Sequence, residues 1–171
     1  YLSATLTVKD SANQILRNTL ELQAHNDNHQ LRGTVKGRLC TDPLLLTIDP
    51  ASFVYNDEEI LLDGARLSRN ENKDYLIQNI HLKGGQQEVS ASGVLSDNGD
   101  KDFVLSLANF ELGQFFNTLE RQYVHFGGRA TGDIVLRSHP ELTLLADDLK
   151  IEHFTYIDTL LGNANLSLEY S

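Results

Sequence analysis

Polar and apolar residues alternate with a period of two along most of this chain. Leu2, Ala4, Leu6 and Val8 are interleaved with Ser3, Thr5 and Thr7, and Leu31, Gly33, Val35, Gly37 and Leu39 with Arg32, Thr34, Lys36 and Arg38. In an extended chain every second side chain lies on one face, so each run predicts a strand with an apolar and a wet side. Leu16, Leu20, Leu22 and Ala24 share one face of a further run. Others are predicted at 75–82, 88–95, 102–109, 129–137, 142–146 and 149–156. In the cleanest, Leu160, Gly162, Ala164, Leu166, Leu168 and Tyr170 share a face. Faces split in this way suit antiparallel strands. The polar clusters at 25–29, 69–74 and 97–100 are rich in Asn, Asp and Gly, which satisfy or relax turn backbone, so they predict hairpins.

The middle is less regular. Residues 44–48 form an apolar run between Pro43 and Pro50, Phe53 and Tyr55 alternate, and brief strands are predicted at 60–62 and 65–68 around Gly64. At 149–156 the apolar phase changes, with Leu149 and Ile151 on one side and Phe154 and Tyr156 on the other. A β-bulge, a bend or a pair of short strands produces such a change.

One segment departs from the period of two. Between Glu111 and Arg121 the apolar residues Leu112, Phe115, Phe116 and Leu119 fall at i, i+3, i+4 and i+7. That spacing predicts one short amphipathic helix over 111–121. It would either pack as ordinary core or plug an apolar groove.

Glycine recurs at the same place in three strand phrases: LRGTV at 31–35, SASGVL at 90–95 and RATGDI at 129–134. Gly93 and Gly132 are 39 residues apart. Repeated strand units build extended sheets whose apolar face has to be covered by something. On that face Ala91, Gly93, Ala130, Gly132, Gly162 and Ala164 are smaller than the Val, Ile or Leu of a packed core. The expectation is room for a ligand, although glycine in strands also marks bends and bulges.

Composition narrows the classes. The 171 residues are 40% hydrophobic and 22% charged, as in a folded chain, with no linker to divide them, so residues 1–171 read as one repetitive unit. The chain starts at Tyr1 and lacks methionine, which predicts a piece of a much larger protein. No apolar run approaches the ~20 residues that span a bilayer as a helix. A net charge of −10 argues against nucleic acid and against an anionic membrane as partner of the wet face. Cys40 is the lone cysteine and reads as a small apolar side chain.

Candidate chemistry is sparse. None of the six histidines lies in a zinc-protease pattern, and His25 and His29 flank a turn. There is no nucleophile elbow and no phosphate-cradling loop. Asp57, Glu58 and Glu59, and Asp147 and Asp148 near His153, supply carboxylates for a glycoside hydrolase. Adjacent acids in a strand face opposite ways, however. The reading is therefore of no catalytic activity, no metal and no cofactor.

The last third resembles a known family. FVLSLANFELGQFFNTL (103–119) is followed by FGGRATGDIVLR (126–137) and by ELTLLADDLKIEHFTYIDTLLGNANLSLEY (141–170). This succession is similar to the translocation and assembly module family, the TamB-like proteins, in a Bacteroidetes-type version. The likeness runs from about residue 75 to 171, and residues 1–74 are compatible in character. Arg137-Ser138-His139-Pro140 is shorter than the stretch usual there. The resemblance implies an inner-membrane-anchored protein crossing the periplasm. It also implies a long sheet curled into an open trough, transfer of phospholipid between membranes, and outer-membrane protein assembly with an Omp85-type β-barrel.

The expected fold class is therefore all-β, an elongated, curled antiparallel or mixed sheet with one short helix. Sharing the apolar phase of their strands, Leu105, Leu107, Ile134, Leu136, Leu166 and Leu168 are the candidates to line a groove for phospholipid acyl chains. Leu112, Phe115, Phe116 and Leu119 are the candidates for its plug. The other classes kept open are a structural or docking β module of an exported protein, and the carboxylate-dependent hydrolase.

Overall fold

The computed structural model describes residues 2–11, 15–25, 30–55, 57–96, 102–113, 126–138, 142–157 and 159–170, with side chains from Arg32 onward. Among the described residues thirteen strands form one antiparallel sheet. They are β1 (Leu2–Ser11), β2 (Ile15–His25), β3 (Gln30–Thr41), β4 (Leu44–Ile48), β5 (Ala51–Tyr55), β6 (Glu58–Leu62), β7 (Ala65–Arg69), β8 (Tyr75–Gly84), β9 (Gln87–Leu95), β10 (Asp102–Glu111), β11 (Phe126–Arg137), β12 (Thr143–Tyr156) and β13 (Thr159–Tyr170).

The topology is simpler than thirteen strands suggest. β4 pairs with β3 through Gly37 and Ile48, and β5 pairs with the same strand through Gly33 and Phe53. β7 and β6 likewise share β8, and they pair with β4 and β5 respectively. β4 with β5, and β6 with β7, are thus two collinear rungs, broken at Asp49-Pro50 and Asp63-Gly64. Proline has no N–H to give a ladder, which accounts for the first break. The aspartates at the breaks still donate to flanking strands, Asp49 N–H to Lys36 O at 2.9 Å and Asp63 N–H to His81 O at 3.0 Å. With the halves joined, the sheet is an eleven-rung up-and-down meander in which each rung pairs with the next. At ~4.8 Å per strand it measures roughly 48 Å across.

Bulges keep the apolar phase on one face. The register shifts between Ile77 and Ile80, where Asn79 has φ 60°, and between Leu107 and Phe110, where Asn109 has φ 52°. Further shifts in β12 coincide with Asp148 (φ 54°) and His153 (φ 51°). A backbone N–H lifted out of the ladder needs another partner. Asn109 N–H finds Thr131 Oγ1 at 3.0 Å, and His153 N–H finds Asn163 Oδ1 at 3.1 Å. The phase change at 149–156 is therefore a bulge within one continuous strand. It also corrects the expected facing: Ile151 pairs with Ala164 and Phe154 with Gly162, two residues of the same face of β13. Phe154 stacks on Phe126 at 6.1 Å, and Tyr156 lies 5.5 Å from the same ring.

One end of the sheet is tied by buried polar groups. Asp74 (3% exposed) sits in the turn after β7 and Ser96 (4%) at the end of β9. Ser96 Oγ donates to Asp74 Oδ1 at 2.6 Å, and Asn70 Nδ2 donates to Asp74 Oδ2 at 3.0 Å. Ser138, after β11, accepts from Ser96 N–H at 3.0 Å and donates to Ser96 O at 2.5 Å. Three connections are joined in this way. Nearby, Arg137 grips Asp102 with two bonds of 2.9 and 3.1 Å.

The helix expected over 111–121 lies almost wholly outside the described residues. Leu112 and Gly113 have helical backbone, and Phe115, Phe116 and Leu119 are outside. Among the described residues the fold is otherwise β.

A candidate apolar binding face

Antiparallel pairing stacks side chains of one face into rows running across the strands. One row carries Leu39, Leu46, Leu67, Ile77, Gly93, Phe103, Leu136, Leu144 and Tyr170, each in register with the next. It continues by register to Leu16. A second carries Ile80, Ala91, Leu105, Ile134, Ala146 and Leu168. Val89, Leu107 and Gly132 belong to a third, and Phe110, Ala130, Ile151 and Ala164 to a fourth. Local alternation, repeated strand by strand, becomes one continuous apolar face.

The six expected lining residues all stand on this face. Leu105, Ile134 and Leu168 share the second row, Leu136 lies in the first, Leu107 in the third, and Leu166 pairs with Leu149. Leu107 and Ile134 pack against the small core of Ala130, Ala146, Leu149 and Ile151. Leu166 and Leu168 are 42% and 45% exposed. Leu112 also packs against that core.

Burial is shallow across the face. Among the described residues only Ala91, Ala130, Ala146, Leu149 and Ile151 are buried apolar side chains, and none is a large side chain wholly enclosed. A packed two-layer domain encloses its Leu, Ile and Phe. Here the described strands form a single layer, and apart from Leu149 its leucines and phenylalanines are only partly buried or are exposed.

The small residues have a backbone reason. Gly93 and Gly132 have φ of 141° and 144°, values that L side chains rarely adopt. A Cβ on Gly93 would lie 2.2 Å from Asp102 O and 2.6 Å from Phe103 Cα; one on Gly132 would lie 3.1 Å from Leu149 Cα. The repeat of 39 residues thus repeats a backbone conformation and a close strand approach. Ala91 and Ala130, two positions before these glycines, are 7% and 0% exposed.

The opposite face holds the polar groups. His81 Nδ1 lies 2.5 Å from Asp63 Oδ2, and His81 Nε2 lies 3.6 Å from Glu88. Lys83 Nζ donates to Glu88 Oε1 at 2.7 Å. That hydrogen bond, with the attraction between the charges, holds the Glu88 carboxyl below its ordinary value and the Lys83 ammonium above its own. The acids proposed for hydrolysis have other partners. Asp148 meets Lys150 at 3.8 Å, Asp147 accepts from Ser167 at 3.5 Å, and Asp57, Glu58 and Glu59 are exposed. Among the described residues no group of His, Cys, Asp and Glu is placed to hold a metal, and no helix is long and apolar enough to cross a membrane.

Comparison with protein-family models, curated proteins and solved structures finds no match to this chain.

Proposed function

We propose that this chain is a segment of a lipid-conducting protein of the bacterial envelope, with the apolar face of its sheet carrying phospholipid acyl chains. The observation that carries this reading is the continuous apolar face, in register across nine rungs from Leu39 to Tyr170, whose large side chains, Leu149 and Ile151 apart, are not fully buried. Acyl chains need no directional contacts, so a lining of Leu, Ile, Val and Phe suits them. Leu105, Leu107, Ile134, Leu136, Leu166 and Leu168 line the path. In this reading the sheet curls around it as an open trough with Leu112 at one part; the other expected plug residues, Phe115, Phe116 and Leu119, lie outside the described residues. The similarity of residues 75–171 to TamB-like proteins adds the setting: the periplasm, an inner-membrane anchor elsewhere in the protein, and an Omp85-type barrel as partner. No catalytic residue, metal or cofactor takes part.

The test is mass spectrometry of lipids that co-purify with the full chain from an envelope-containing host. Phospholipid in constant proportion to protein supports the reading, particularly if Leu105→Asp removes it while the strand-rich circular dichroism spectrum stays. A chain that folds and carries no phospholipid overturns it.

A further inference from the structure

The sheet ends at β13. Among the described residues this strand has a neighbour on one side only, β12. An open edge is a template for another strand, and charged residues, proline or bulges usually blunt it. β13 is poorly protected in this way. The bulges at Asp148 and His153 belong to β12 and leave β13 an unbroken strand from Gly162 to Tyr170. Residues 159–170 contain no proline, lysine or arginine, and Glu169 is their single charge. Leu166, Leu168 and Tyr170 are 42%, 45% and 71% exposed, at the outer margin of the apolar face.

The side chains of this edge fit a copy of themselves. On its paired side β13 sets small residues against large ones: Gly162 beside Phe154, Ala164 beside Ile151 and Leu168 beside Ala146. Reversing the strand about Leu166 repeats that pattern. Gly162 then faces Tyr170, Ala164 faces Leu168, and Leu166 faces its own copy. On the other face Asn163 meets Glu169 and Asn165 meets Ser167, each a donor with an acceptor. The two Glu169 carboxylates stand roughly 20 Å apart along the strand, so no like charges oppose each other. A slip by one residue would set apolar against wet positions. A slip by two sets Glu169 against Leu161 or shortens the ladder.

We infer that two copies of this chain pair antiparallel through β13, about a two-fold axis at Leu166. Such pairing is isologous and closes at two copies, whereas β13 joined to the opposite edge, β1, would leave edges free and build an open chain. Each outer backbone edge satisfies the other, and the exposed Leu166, Leu168 and Tyr170 gain cross-strand neighbours. The apolar rows pass through the axis: the row of Ala146 and Leu168 continues into Ala164 and Ile151 of the second copy. The pair of chains therefore carries one apolar face of double width. The pairing does not depend on what that face carries.

The experiment combines sedimentation equilibrium of the full chain with cysteine cross-linking. The parent should reach twice the mass of one chain as concentration rises, and go no further. Leu166→Lys places two ammonium groups face to face on the axis and removes the Leu166 contact, so the dimer should weaken by about tenfold, with circular dichroism checking the fold. For register, Cys40→Ala removes the lone cysteine. In that background Leu166→Cys should oxidise to a covalent dimer, because residues directly opposite in an antiparallel pair have Cα atoms about 4.5–5.5 Å apart, within disulfide reach. Leu168→Cys alone should not, whereas Leu168→Cys mixed with Ala164→Cys should. A chain that stays monomeric overturns the proposal, as do species that grow beyond two copies. A dimer that Leu166→Cys fails to cross-link, or that Leu168→Cys alone cross-links equally well, overturns it too.

Discussion

Replacing Gly93 by alanine adds one methyl group at a place where neither the backbone nor its neighbour can yield. The residue has φ 141°, and the added Cβ would stand 2.2 Å from Asp102 O and 2.6 Å from Phe103 Cα. Both obstacles are backbone atoms of the paired strand β10, so no rotamer change relieves the clash. To regain ordinary contact β10 must retreat by about 1 Å, which strains the hydrogen bonds on both its sides. A forced backbone conformation costs about 1–3 kcal/mol, and overpacking adds about 1–3 kcal/mol more. A loss of about 4 kcal/mol is therefore expected. Gly85→Ala is the matched control: its φ is 57° and nothing lies within 4 Å of the added methyl, so only the left-handed penalty of about 1 kcal/mol applies. Urea unfolding followed by far-ultraviolet circular dichroism compares the two with the parent. If Gly93→Ala is no more destabilised than Gly85→Ala, the backbone account of the repeated glycine is wrong.

Ser96→Ala removes the hydroxyl donor from the buried Asp74 carboxylate while keeping the backbone bonds to Ser138, and should cost about 1–3 kcal/mol in the same assay. Ile134→Asp places an unpaired carboxylate against the small core and should cost on the order of 3 kcal/mol, whereas Asn165→Asp, exposed on the other face, should stay within about 0.5 kcal/mol. In an NMR titration the Glu88 carboxyl should lose its charge below the ordinary 4.5, because Lys83 donates to it, and Lys83→Met should return it upward. The sign follows: whatever the Lys83–Glu88 pair contributes is present above the ordinary carboxylate range and is lost as pH falls through the lowered value.

The strands were legible because their pattern is local. The run at 44–48 coincides with β4, and the polar cluster at 69–74 is the turn between β7 and β8. The interruption of two rungs was legible as irregularity, but their collinearity was not, because pairing through β3 and β8 involves residues distant in sequence. The bulges at Asn79, Asn109 and Asp148 leave a three-residue step between apolar positions, Ile77 to Ile80, Leu107 to Phe110 and Ala146 to Leu149. Ile151 to Phe154 makes the same step around His153, but a single such step among polar residues is weak, and only this last one reads as a change of phase. For the candidate face, alternation was enough to put all six lining residues on one side. The meaning given to the small residues was incomplete, because a strand pattern does not disclose how near the neighbouring backbone comes.

The central claim is that one face of this sheet meets acyl chains and the other does not. Photocrosslinking tests it most directly, with a benzophenone side chain placed in turn at Leu105, Ile134, Ser106 and Asp133 in the full chain, against phospholipid carrying isotope-labelled acyl chains. Leu105 pairs with Ile134, and Ser106 with Asp133, so the four sites are neighbours that differ in face. The account predicts label at Leu105 and Ile134 and none above background at Ser106 and Asp133. Equal labelling of the two faces, or labelling confined to Ser106 and Asp133, would contradict it.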